Sequence, residues 1–129
     1  MNLFRKLGRS GSITAEFSLT VPILLALMFG IIQVGVLFFA NAGLKHGLGE
    51  AARAATLWPR RTDAQIAAKV GSSAFGISTA YLATPVVTHG VSQGTDYTQI
   101  DVSYRVPLTI FFISLPTVTI TDSRRVFVP

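Results

Sequence analysis

The feature that most constrains this chain is a long apolar run near its N-terminus. Residues 17–40 form 24 consecutive positions without a formal charge, and their only polar side chains are Ser18, Thr20 and Gln33. A helix needs about 20 apolar residues to cross a bilayer core of about 30 Å, and its backbone satisfies its own hydrogen bonds in lipid. The run therefore predicts one transmembrane helix over about residues 17–40.

A second apolar stretch, residues 106–115, is only ten residues long and contains Pro107. It is too short to span a bilayer, and proline is excluded from central strands. We therefore expect a buried strand or a loop there, and no second crossing.

The basic residues of the chain are concentrated around the apolar run. Residues 1–61 carry seven of the eleven Lys and Arg but only two acidic residues, Glu16 and Glu50. Lys and Arg beside a membrane helix determine topology and bind anionic lipid headgroups. The net charge of +5 thus indicates membrane flanking rather than nucleic-acid binding, and the basic residues before the run favour a cytoplasmic N-terminus.

The predicted long helix covers residues 12–58, because the helical pattern continues beyond the membrane segment to about Trp58. One apolar face comprises Leu44, Leu48, Ala51, Ala55 and Trp58, and a row of small residues comprises Gly43, Gly47, Ala51 and Ala55. Small residues at every fourth position allow another backbone to approach closely. The partner is either the chain's own domain or another subunit. Pro59 then ends the helix.

The C-terminal half predicts a small α+β domain over residues 59–129. Thr62 and Gln65 have the spacing of a capping box, which predicts a second helix over about residues 63–82. Its apolar face would comprise Ile66, Val70, Ala74, Ile77 and Tyr81. Alternating apolar residues then predict strands at about 86–91, 99–106 and 118–127, with a turn at 92–96. The expected fold is α+β: a long N-terminal helix, a second helix and a small antiparallel sheet.

A charged residue stands at the head of the apolar run. Glu16 follows Gly11 by five positions and precedes Phe17, and Pro22 lies a few residues into the helix. A carboxylate at the edge of a membrane helix costs about 2–3 kcal/mol on insertion scales and is a functional hypothesis by default. The alternative is that Glu16 simply occupies the headgroup region, where the helix dipole favours negative charge in the first turn.

This arrangement resembles a prepilin leader, and the overall layout is most similar to the TadE-like pseudopilins. These are minor pilin-like proteins of tight-adherence (Flp-type) type IV pilus systems. The resemblance implies a leader at residues 1–11, cleavage by a prepilin peptidase between Gly11 and Ser12, and a helix kink at Pro22. It also implies that Glu16, with Phe17, acts in assembly by pairing with the new α-amine of its own or a neighbouring subunit.

The resemblance further implies a location in the bacterial inner membrane, with a single pass, a cytoplasmic N-terminus and an extracytoplasmic or pilus-borne domain. The implied partners are a prepilin peptidase, other pilin or pseudopilin subunits, the Tad secretion machinery and membrane lipid. No nucleic acid, small-molecule substrate or cofactor is expected. The implied function is pilus assembly in cell adhesion. The sequence does not separate a TadE-like from a sibling TadF-like assignment.

Two other interpretations stay open. Ala40, Asn41 and Ala42 form an A-x-A site, so a signal peptidase could release a soluble protein beginning at Gly43, although the run exceeds the 7–15 residues of signal peptides. The chain could also be an unrelated single-pass membrane protein. An enzyme is not expected, because the chain has no cysteine and His46 and His89 have no carboxylates at ligand or triad spacing.

Overall fold

The computed structural model describes residues 4–110, 113–114 and 116–128, with side chains from Ile13 onward except those of Ile110 and Ile113. The described residues form two helices, a 3-10 turn and two small antiparallel sheets, which confirms the predicted α+β class. In chain order the elements are α1 (Phe4–Thr56), α2 (Asp63–Ser73), the 3-10 turn (Thr79–Tyr81), β1 (Val86–Ser92), β2 (Thr95–Val106), β3 (Thr109–Ile110), β4 (Ile113–Ser114) and β5 (Val118–Phe127).

Helix α1 is a single element of 53 residues that passes through Pro22. It begins earlier than the predicted residue 12 and ends at Thr56, whose hydroxyl donates to the carbonyl of Arg53 over 2.8 Å. The helix stops just before Pro59, which has no amide hydrogen to continue the ladder. One face of its last third is buried in the domain and includes Ala40, Leu44, Leu48, Ala51 and Ala55.

Helix α2 begins with the predicted capping box. The amide of Gln65 donates to the Thr62 hydroxyl over 3.3 Å, and the amide of Thr62 donates to the Gln65 side chain over 3.1 Å. These bonds satisfy two backbone donors that a helix start leaves unpaired. Ile66 and Val70 are buried on the face turned to the core.

The predicted extension of this helix to residue 82 is wrong, because α2 ends at Ser73. Ala74 takes an extended conformation, and the backbone of Phe75 then lies directly against Gly43 of α1. Gly76 follows with a φ of +65°, a left-handed conformation that glycine adopts readily. Ile77 still packs against the core from the loop, whereas Tyr81 is exposed.

The larger sheet has the order β1-β2-β5 and is antiparallel throughout. Its alternation is as predicted: Ile100, Val102, Tyr104 and Val106 of β2 are buried against the helices. The β1–β2 turn is tighter than expected, because Ser92 already pairs with Thr95. Gln93 and Gly94, with φ values of 52° and 78°, form a two-residue turn of the kind that matches strand twist.

The two ends of β2 show how the domain is oriented along α1. Near the start of β2, the carbonyl of Asp96 accepts a hydrogen bond from Val128 over 2.9 Å. Val128 lies beside Ala55 and Trp58, at the C-terminal end of α1. The other end of β2 leads through Val106 into β3, which contacts α1 near Gln33. The β3–β4 end of the domain therefore faces the exposed part of α1.

Candidate functional site on the long helix

The N-terminal part of α1 is apolar and uncovered. Phe17, Leu19, Ile31 and Phe38 have between 69% and 74% of their surface exposed, far more than a water-facing helix tolerates over such a length. In the described part of the chain, Ile13–Thr56 is the one helix that is long and apolar enough to cross a membrane. The helix is thus a candidate membrane anchor.

The few polar side chains on this part of α1 have hydrogen-bond partners. The hydroxyls of Ser18 and Thr20 donate to the carbonyls of Thr14 and Glu16, each over 2.8 Å. Such bonds to the preceding turn hide the hydroxyls from lipid. The amide of Gln33 instead leaves the helix surface and donates to the carbonyl of Thr109 in β3. The anchor therefore presents no unpaired hydroxyl or amide among these three residues.

The predicted assembly residues lie on the exposed part of the helix. Glu16 and Phe17 are neighbours on the exposed surface, and Pro22 is exposed one turn further along. Gly11 and Ser12 lie outside the residues whose side chains the structure describes, so their processing stays a prediction, as does the kink at Pro22.

The row of small residues on α1 contacts the chain's own domain. A Cβ atom on Gly43 would overlap the carbonyl oxygen of Phe75, and one on Gly47 would come within 2.5 Å of the carbonyl oxygen of Val70. Atoms at these distances are in van der Waals overlap, so glycine is required for α1 and α2 to approach this closely. Of the two partners considered from the sequence, the structure places the chain's own domain against this row.

The two histidines take part in contacts within the domain. His89 on β1 contacts Asp63 at the start of α2 over 2.8 Å and the buried Thr98 on β2 over 3.0 Å. His46 lies against the ring of Phe75, with 5.6 Å between ring centroids. Within the described ranges, no three His, Asp or Glu side chains lie close enough to hold a metal ion.

One contact of the long helix was not predicted from the sequence. Gln33 and Thr109 are separated by 76 positions. The sequence signals were one amide side chain in the apolar run and a short apolar stretch at 106–115. Neither signal identifies the other as its partner. The contact links the candidate membrane anchor to the end of the domain that contains β3 and β4.

Comparison with known proteins gives one finding that bears on the long helix. The family model of TadE-like proteins matches residues 11–53. The match covers α1 from the predicted scissile glycine to within three residues of the helix end at Thr56. No curated protein and no solved structure matches the chain. Over residues 11–53 the chain is thus similar to TadE-like proteins, in agreement with the resemblance noted from its sequence.

Proposed function

We propose that the chain is a pilin-like subunit, a pseudopilin, of a tight-adherence pilus system. It is made as a precursor, cut between Gly11 and Ser12, and held in the inner membrane by residues 17–40. The proposal is supported above all by one observation: the matched segment, residues 11–53, lies within a single helix. The first part of that helix is exposed and apolar, and its last part packs in the core of the domain.

A continuous helix of this kind suits assembly. The exposed part, from Ile13 to Phe39, measures about 40 Å at 1.5 Å per residue, enough to cross a bilayer core or to pack against the same surface of other subunits. Because Ala40, Leu44 and Leu48 are buried in the domain, the domain cannot turn independently of the helix. The packing of helices in a filament would therefore also fix the spacing of the domains.

In this proposal, Glu16 sets the position of each incoming subunit along the filament axis. Cleavage before Ser12 would create an α-amine four residues from Glu16, within reach on the same helical face. In an apolar filament core a carboxylate is strongly disfavoured unless it is paired. A pair with the α-amine of a neighbouring subunit would give each incoming helix one favoured axial position.

Processing can be tested by co-expression with a prepilin peptidase. We expect the wild-type chain to be shortened by residues 1–11, Gly11→Leu to remain uncut, and Gly8→Leu, a matched substitution in the same leader, to be cut normally. Intact-mass measurement distinguishes these products. Equal cleavage of Gly11→Leu and wild type would remove Gly11 from the proposed site.

Assembly can be tested with Glu16 variants expressed at native level. Glu16→Ala should be cut and inserted into the membrane normally, since the change makes the helix more apolar, but should be lost from, or fail to initiate, the pilus. Glu16→Asp keeps the charge on a shorter side chain and should retain part of the function. Normal piliation with Glu16→Ala would refute the role given to this carboxylate.

The location and partners belong to the same proposal. The chain would lie in the inner membrane with its N-terminus in the cytoplasm and its domain outside, in contact with other pilin-like subunits and the Tad machinery. We propose no catalytic role and no cofactor. A processed protein beginning at Gly43 would instead indicate a secreted protein, and an uncut protein would indicate an unrelated single-pass membrane protein.

A further inference from the structure

The β3–β4 pair extends along α1 beyond the rest of the domain. The loop after α2 reaches α1 at Phe39, whose ring lies 5.3 Å from that of Phe75 between centroids. The backbone of Thr109 in β3 reaches further, to the side chain of Gln33. Gln33 lies six residues before Phe39, about 9 Å closer to the N-terminus along the helix axis.

The charges on α1 fix the depth of this contact in a membrane. Residues 17–44, between Glu16 and Lys45, are 28 positions without a formal charge, about 42 Å of helix. A bilayer core of about 30 Å takes about 20 of them. Every 20-residue window within residues 17–44 contains Gln33, so the Thr109 backbone lies at the level of the hydrocarbon core wherever the membrane is centred.

The sequence and bonding of this region suit such a position. Residues 106–116 contain no charged side chain, and Leu108 is half-buried against the core of the domain. Non-helical backbone does not lie exposed to lipid in the hydrocarbon region, and at membrane depth it is tolerated where it is buried against protein. β3 and β4 pair with each other, Thr109 with Ser114 and Ile110 with Ile113, and Gln33 supplies a donor to the outer carbonyl of Thr109.

We infer that residues 107–110 and 113–114, here called the β3–β4 hairpin, form a second membrane-contacting element. The hairpin packs on α1 within the acyl-chain region of the leaflet on the domain's side, and the partner of its outer surface is phospholipid. The inference rests on the proposed membrane location of residues 17–40. With two points of contact, the helix and the hairpin, the domain is held at one tilt relative to the membrane plane before any assembly takes place.

The cysteine-free sequence allows a direct test by single-cysteine labelling of the full chain. Three variants, each labelled with an environment-sensitive fluorophore, are reconstituted into phosphatidylcholine and phosphatidylglycerol vesicles with and without nitroxide-labelled lipid. Thr109→Cys reports on the hairpin. Ile31→Cys reports on the helix, and Thr95→Cys is a matched threonine at the opposite end of the domain, where β2 begins.

We expect the lipid nitroxide to quench the labels at Thr109→Cys and Ile31→Cys by at least half, and to leave the label at Thr95→Cys unaffected. Quenching at Ile31→Cys without quenching at Thr109→Cys would overturn the hairpin inference and leave the membrane helix intact. Absence of quenching at both positions would overturn the proposed membrane location itself. Shielding of Thr109→Cys from water-soluble maleimide without lipid quenching would assign the hairpin to a protein contact and also overturn the inference.

A second variant tests the part played by Gln33. Gln33→Leu keeps the helix apolar but removes the amide that donates to Thr109. When added to Thr109→Cys it should reduce lipid quenching at least twofold, while quenching at Ile31→Cys is retained. Unchanged quenching at Thr109→Cys would refute the docking role of Gln33.

Discussion

The approach of α1 to the loop after α2 gives the sharpest prediction about stability, for the substitution Gly43→Ala. The added methyl group would overlap the backbone carbonyl of Phe75, and a backbone cannot move aside as a flexible side chain can. Overpacking of this kind costs about 1–3 kcal/mol, sometimes more. Replacement of a glycine within a helix by alanine stabilises that helix by about 1 kcal/mol.

When the cost of the overlap is at the upper end of that range, the free energy of unfolding falls by about 2 kcal/mol. This corresponds to about a 30-fold change in the unfolding equilibrium. The matched control is Gly35→Ala, because a Cβ on Gly35 meets no atom within 4 Å. It should leave the domain at least as stable as wild type, because alanine favours the helix and meets no overlap.

Pulse proteolysis of the full chain in mild detergent, across a urea series, measures the fraction of folded domain for both variants. We expect Gly43→Ala to shift the midpoint to lower urea, whereas Gly35→Ala should not lower it. Equal midpoints for the two variants would refute the close packing of the residue 75 backbone on α1.

Three further changes test the rest of the domain by the same unfolding measurement. Ile100→Ala, at a side chain with no exposed surface, should cost about 2–5 kcal/mol, whereas the exposed Val91→Ala should stay within about 0.5 kcal/mol; similar values would contradict the assignment of the core face. Thr62→Ala removes the α2 cap and should cost about 1 kcal/mol, and no loss would remove the capping box as a stabilising feature. Gln93→Asn should stabilise the β1–β2 turn by up to about 1 kcal/mol, because asparagine tolerates a positive φ better than glutamine; destabilisation would argue against the left-handed turn.

Elements whose determinants are local could be predicted from the sequence. The start of α2 depends on Thr62 and Gln65, three residues apart, and β2 depends on side chains that alternate at every second position. The long helix follows from an apolar run that no other secondary structure satisfies in lipid. For these features the sequence contains both partners of each decisive interaction within a few positions.

Features that depend on distant partners could not be predicted. Helix α2 ends at Ser73 because the following backbone packs against Gly43, about thirty positions earlier, and its apolar pattern alone continues to Tyr81. The sequence likewise left two partners open for the row of small residues, since close packing on the chain's own domain and on another subunit require the same residues.

The candidate site shows the same division. The exposed positions of Phe17 and Pro22 follow from their places in the apolar run, and that of Glu16 follows from its place directly before the run. The contact between Gln33 and Thr109 does not, because it requires the β3–β4 pair to be brought back along the helix by the fold of the whole domain. The functions proposed for Gly11 and Glu16 depend on a peptidase and on other subunits, whose surfaces this sequence does not encode.

The central claim is that this chain is a processed, membrane-held pilin-like subunit, and the mass of the natural protein tests it most directly. The intact protein should be isolated from membranes or sheared pili of the native cell and measured by mass spectrometry with N-terminal sequencing. The account predicts a chain that begins at Ser12 and retains residues 17–40. A natural protein that retains Met1, or that begins at Gly43, would contradict it.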